Sequence, residues 1–183
     1  MTEPVNMKKF GGLSYNANLV SSTKKLKNGN YEMIFKSGEK ITYPYQKDFV
    51  PDKGYTDTAV TGENMGTYVD ADFNPNERVP RNARIDQSIN ENLVYDDTYF
   101  DITNVMGATF TSSKDTVSHV RLNNSSNTTI NLAANDSKWY SDTANIDNGA
   151  NNKVILDKED TAIINGNSVK GQGTAAQKDY QKY

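Results

Sequence analysis

Apolar and polar residues alternate at a period of two through most of the readable chain, which predicts strands rather than helices. In Tyr31-Glu-Met-Ile-Phe35, positions 31, 33 and 35 share one face. Asn28-Gly29 precedes that run and Ser37-Gly38 follows it; Asn and Gly tolerate the positive φ of tight hairpin turns. Lys40-Ile-Thr-Tyr-Pro-Tyr45 supplies a further alternating run, so strands are expected near 17–26, 30–36 and 40–45 as an antiparallel meander. Residues 47–80, with Gly54, Gly62, Gly66, Pro51, Pro75 and Pro80, read as an extended connection. So long a stretch without elements needs something to lie against, such as a neighbouring subunit. Ile85, Ile89 and Leu93 then recur every four residues behind Asn82 as N-cap, which predicts one short helix near 83–94.

From Tyr99 onward, short β segments are expected near 98–105, 108–112, 117–123, 128–134, 153–157 and 161–165. Polar clusters at 112–115, 123–127, 145–152 and 165–167 separate them as turns. The expected fold is therefore mainly β. A meander (1–46) leads into an extended connection with a short helix (47–97), then a C-terminal all-β region (98–172) and a polar tail (173–183) that frays if alone. The even spacing suits a β-sandwich or jelly roll. A β-solenoid is the alternative, because Asn-rich turns at a steady pitch stack as ladders, although no strict repeat aligns. All five prolines fall within the first 80 residues, which leaves the C-terminal region free for paired strands.

Composition adds one constraint. Leu, Ile, Val and Phe total 35 of 183 residues, while Asn, Thr and Ser total 53. Without cysteine, no disulfide can staple a thin core, and thiolate chemistry is excluded. The expectation is a fold completed by association between chains. No run approaches the ~18 apolar residues of a spanning helix, and the first ten residues lack the apolar stretch of a secretory signal. Neither a membrane nor a nucleic acid is expected as partner, the latter because the pI is near 5.2. Charge is nevertheless polarised: residues 1–53 carry nine Lys against five acids, whereas 54–101 carry three Arg against ten acids. Lys8, Lys9, Lys24, Lys25 and Lys27 are thus candidates to face an anionic surface, with a solvated face as the simpler reading.

Candidate chemistry is sparse. Asp70, Asp72, Asn74 and Asn76 alternate like the start of a calcium loop, but Pro75 stands where glycine is needed and Arg81 where the closing Glu belongs. No metal or other cofactor is expected. Asp96, Asp97 and Asp101 could supply the carboxylate pair of a polysaccharide-cleaving enzyme. The single histidine, His119, alternates with Arg121 away from Val120 and Leu122 and reads as an exposed strand residue, not a triad base. Gly166 to Gly173 has glycines like a phosphate loop but carries Gln172 where lysine is required. Tyr95, Tyr99, Trp139 and Tyr140 are candidate stacking platforms for a sugar.

The C-terminal half, in stretches such as Thr109-Phe-Thr-Ser-Ser-Lys-Asp-Thr-Val-Ser-His-Val-Arg-Leu122 and Thr128-Thr-Ile-Asn-Leu-Ala-Ala134, resembles small bacteriophage virion proteins of the head-fibre, decoration or tail-associated kind. The resemblance is one of composition. It implies a non-enzymatic structural role in a virion, with other virion proteins and further copies of the chain as partners. The alternative is a carbohydrate-binding or adhesion module at a bacterial surface or phage tail tip, with a surface glycan as partner. A polysaccharide-cleaving enzyme is the third reading.

Overall fold

The computed structural model describes residues 7–46, 84–90, 97–114, 116–135 and 141–180. Its centre is a β-solenoid. Strands β7 (Asp97–Thr103), β9 (Val117–Asn123), β11 (Thr143–Asp147) and β13 (Thr161–Ile164) pair in parallel in one sheet. Between them the chain crosses to a second parallel sheet of β8 (Thr109–Thr111), β10 (Thr129–Asn131) and β12 (Lys153–Leu156). Thr109 aligns with Thr129 and Thr129 with Lys153, so successive turns advance by 20 and then 24 residues. Thr143 aligns with Thr161, an advance of 18. These unequal turns explain why no strict repeat aligns, and also why the spacing suited a sandwich: the coil is two facing sheets. Phe100 of the first sheet meets Phe35 and Phe110 of the second, each at 4.9 Å between ring centroids.

The corners account for much of the asparagine. Asn104, Asn124 and Asn148 hold φ of 56°, 50° and 61° at equivalent corners, and Asn127 and Asn151 hold 54° and 59° three residues later. Among side-chain-bearing residues, Asn adopts this left-handed region most readily because its short amide can bond locally. Asn124 Nδ2 donates to Asn104 Oδ1, which ties one turn to the next. At Gly149 the backbone approach is closer still, since a Cβ there would lie 1.7 Å from the Ser125 carbonyl oxygen.

The remaining strands close the two ends. At the N-terminal end, β6 (Arg84–Asn90) runs antiparallel on β7, and β5 (Lys40–Tyr43) runs antiparallel on β8. The sheets continue outward through β2 (Leu13–Asn16) and β1 (Met7–Phe10) on one side, and through β4 (Tyr31–Phe35) and β3 (Val20–Lys25) on the other. The expected meander is therefore present. It is not a separate unit, however, because its strands extend the same sheets as the C-terminal strands. The outermost strands β1 and β3 carry Lys8, Lys9, Lys24 and Lys25, charges of the kind that discourage edge-to-edge pairing. At the other end, β14 (Asn167–Lys170) folds back on β13 across an Asn165-Gly166 turn, and β15 (Gly173–Ala176) runs antiparallel on β12.

Three expectations are corrected. Residues 84–90 form a strand, not part of a helix: Ile85 and Gln87 are buried at a spacing of two. A spacing of four, as between positions 85 and 89, satisfies a strand face as well as a helix face, and the open edge of β7 selects the strand. Leu93 lies outside the described residues. Residues 143–147, expected to lie partly in a turn, form β11 with Ala144 and Ile146 buried. The polar tail does not fray as a whole, because β15 pairs with β12 and Gln177, in a 3-10 turn, is 1% exposed. The described residues also share one core. Leu13, Met33, Phe35, Ile41, Tyr43, Phe100, Phe110, Leu122, Ile146 and Ile164 belong to one buried cluster drawn from both sheets. A two-sheet sandwich needs apolar residues on only one face of each strand, which offsets the scarcity of aliphatics.

Two glutamines finish the corner ladder at opposite ends. Gln46 Oε1 accepts from Met106 N at 2.9 Å and its Nε2 donates to Met106 O at 2.8 Å, as a further backbone strand would. Gln177 Oε1 accepts from Asn152 N at 3.2 Å and Asn152 Nδ2 at 2.8 Å, and its Nε2 donates to Asn148 O at 2.9 Å. Truncation strands these buried groups without partners. Gln177→Ala is expected to cost about 2 kcal/mol, read as a lowered midpoint in urea with an unchanged slope.

Candidate functional site: the outer face of the larger sheet and a buried acid row

Period-two alternation sends two residue sets from the larger sheet in opposite directions. Outward, register brings Tyr99, His119, Thr143 and Thr161 into one row across four strands. Asp101, Arg121, Asn145 and Ile163 form the next row. The Tyr99 and His119 rings stack with centroids 4.7 Å apart and planes 16° apart. His119 Nδ1 is 2.7 Å from Thr143 Oγ1, and Nε2 is 3.5 Å from Asp97 Oδ2. Burial lowers the imidazole pKa below its ordinary 6.5, against the opposing pull of Asp97. His119 is therefore half-buried and held on three sides, rather than the freely exposed residue expected.

The hydroxyl–imidazole–carboxylate order has the parts of a nucleophile relay. Thr143, however, lies within a strand paired on both sides, where the ladder occupies the backbone N–H groups that an oxyanion would need. Asp97 and Asp101 do share a face, but four residues along a strand separate them by about 13 Å. Paired glycosidase carboxylates lie roughly 5–9.5 Å apart, so these two do not form such a pair. Asp96, Tyr95, Trp139 and Tyr140 lie outside the described residues, as do Asp70, Asp72, Asn74 and Asn76. Of the expected platforms Tyr99 is described, and its ring is already stacked on His119.

An aromatic group that sequence reasoning did not single out gathers at the N-terminal end. Tyr31 meets Phe10, Tyr43 and Tyr45 at 5.2, 5.9 and 6.3 Å, with Lys25 Nζ 5.6 Å from its ring centre. Tyr45 is 61% exposed there. The signal lay in the meander, where facing strands set Tyr31 opposite Tyr43.

Inward, the same alternation places Thr98, Ser118, Asp142 and Asp160 at equivalent positions in successive turns, all fully buried. Each aspartate accepts a backbone N–H from the turn before it: Ser118 N to Asp142 Oδ1 at 2.8 Å, and Asp142 N to Asp160 Oδ1 at 3.2 Å. Asp157 N also donates to Asp160 Oδ2 at 2.8 Å. From the meander, Glu39 caps the row. Its Oε2 accepts from Thr98 Oγ1, from Ser118 Oγ at 3.1 Å and from Thr116 Oγ1 at 3.3 Å. Burial pushes the Asp142 pKa up to about 8, against the hydrogen bond from Ser118. Burial likewise pushes Asp160 up to about 7. The readable trace of this row is the recurrence of Asp142-Thr-Ala-Asn-Ile146 as Asp160-Thr-Ala-Ile-Ile164. Comparison with family models, with curated proteins and with solved structures gave no match.

Proposed function

We propose that the chain is a non-enzymatic structural component of a larger particle, with the β stack as its stiff body, and that the particle is a bacteriophage virion. One observation carries the structural part: among the described residues, the histidine, the buried aspartates and the corner asparagines are built into the stack. Asn side chains shape corners, aspartates tie turn to turn in the interior, and the single histidine is clamped between Tyr99, Thr143 and Asp97. The virion part follows from the resemblance of the Asn-, Thr- and Ser-rich C-terminal half to small virion proteins. Such a component bands at fixed stoichiometry with particles made by the genetic element that encodes it, read by quantitative mass spectrometry across a density gradient. Its absence from the particle band overturns the reading.

A second reading, adhesion to a surface glycan, is supported by the exposed Tyr45 beside Tyr31. It predicts binding on a glycan array that Tyr45→Ala abolishes, with no change in the melting curve.

A further inference from the structure

Two fully buried carboxylates, Glu39 and Asp142, flank Ser118. The first oxygen of each is engaged by that residue: Ser118 Oγ donates to Glu39 Oε2, and Ser118 N donates to Asp142 Oδ1. The second oxygens, Glu39 Oε1 and Asp142 Oδ2, are buried and have no hydrogen-bond partner. A third orphaned acceptor, Gln87 Oε1, belongs to a side chain whose Nε2 donates to Ser37 Oγ at 2.6 Å, two residues before Glu39. An unpaired buried acceptor costs about 1–3 kcal/mol, and a buried anion costs more. The two carboxylate oxygens left without a donor call for a proton or a cation.

We propose that a divalent hard cation, calcium, binds in the interior beside Ser118 and is held by Glu39 Oε1 and Asp142 Oδ2. All donors are oxygens, the set that calcium prefers, and calcium tolerates irregular geometry. Among the described residues no three acidic, histidine or cysteine side chains gather as a metal cluster. The two carboxylates therefore supply the charge, and neutral oxygens complete the shell. The site joins the meander, through Glu39, to the second and third turns of the stack, through Ser118 and Asp142. Its occupancy would lock the N-terminal strands onto the solenoid.

The test uses the full chain, stripped with a chelator and dialysed at pH 7.5. Calcium at about 100 times its Kd should raise the melting temperature by about 5 °C or more. Magnesium should do less, and sodium at equal ionic strength nothing. Metal analysis after gel filtration should find one calcium per chain. Glu39→Gln and Asp142→Asn should each abolish both the shift and the bound metal, while the surface variant Asp179→Asn keeps them. If one variant fails to fold, the other and the metal content of the parent chain still decide. Three results would overturn the proposal: no calcium retained, a shift no larger than sodium gives, or a calcium response that survives both variants and so originates elsewhere.

Discussion

In calcium-free buffer, raising the pH from about 5 to about 9 is expected to destabilise the protein by several kcal/mol. Asp142 and Asp160 carry the effect. Their folded pKa values, about 8 and about 7, lie above the ordinary 3.8, so in the window between them the folded state holds protons that the unfolded chain releases. Stability is then greatest at the acidic side of that window and falls as pH rises through the folded values. His119 works the other way: its lowered pKa favours folding as pH rises, but only up to about its ordinary 6.5. The slope above about pH 7 therefore belongs to the two aspartates. Asp142→Asn keeps an acceptor for Ser118 N and removes the buried charge. It should flatten the profile, gaining stability at pH 9 and changing little at pH 5. Thermal melts across a buffer series measure it, and a midpoint that climbs with pH would contradict the assignment.

Phe100→Ala should be the most damaging single truncation, at about 4 kcal/mol. The ring is 1% exposed and stands edge-on to both Phe35 and Phe110, so it joins the meander, the larger sheet and the first turn of the stack. Removing it leaves a void bordered by three elements that cannot collapse independently. Its neighbour Tyr99 points the other way along the same strand, and Tyr99→Ala should cost under about half as much. Urea unfolding of the two variants side by side reads the difference, and equal losses would mean that the strand is not oriented as described.

The period-two signal made the meander and most C-terminal strands legible. Tyr31, Met33 and Phe35 recur at a spacing of two in β4, and Val120 and Leu122 alternate with His119 and Arg121 in β9, although Val117 is buried out of phase. What escaped had mixed signals. Position 85 to position 89 is a spacing that helix and strand both accept, and only the partner strand β7 separates them. β11 was hidden because Asn145 and Asp147 are turn-forming types, yet in this strand they occupy the outward face while Ala144 and Ile146 fill the core. The solenoid itself was half legible: Asn-rich corners marked its pitch, but turns of 20, 24 and 18 residues erased the alignment. The buried acid row was illegible by residue type, because acids are read as surface until a register places Asp142 beneath Ser118. The clamp on His119 depended on residues 22 positions upstream and 24 downstream, Asp97 and Thr143, which parallel pairing alone brings together.

Each parallel turn lengthens the stack by one strand spacing, about 4.8 Å, while antiparallel strands finish it at both ends. The molecule is therefore a ruler with fixed end-stops, whose reach is quantised in single coils. Duplicating the segment 97–116 should yield a longer rod in which Glu39 meets the second copy of Thr98 where Ser118 now stands.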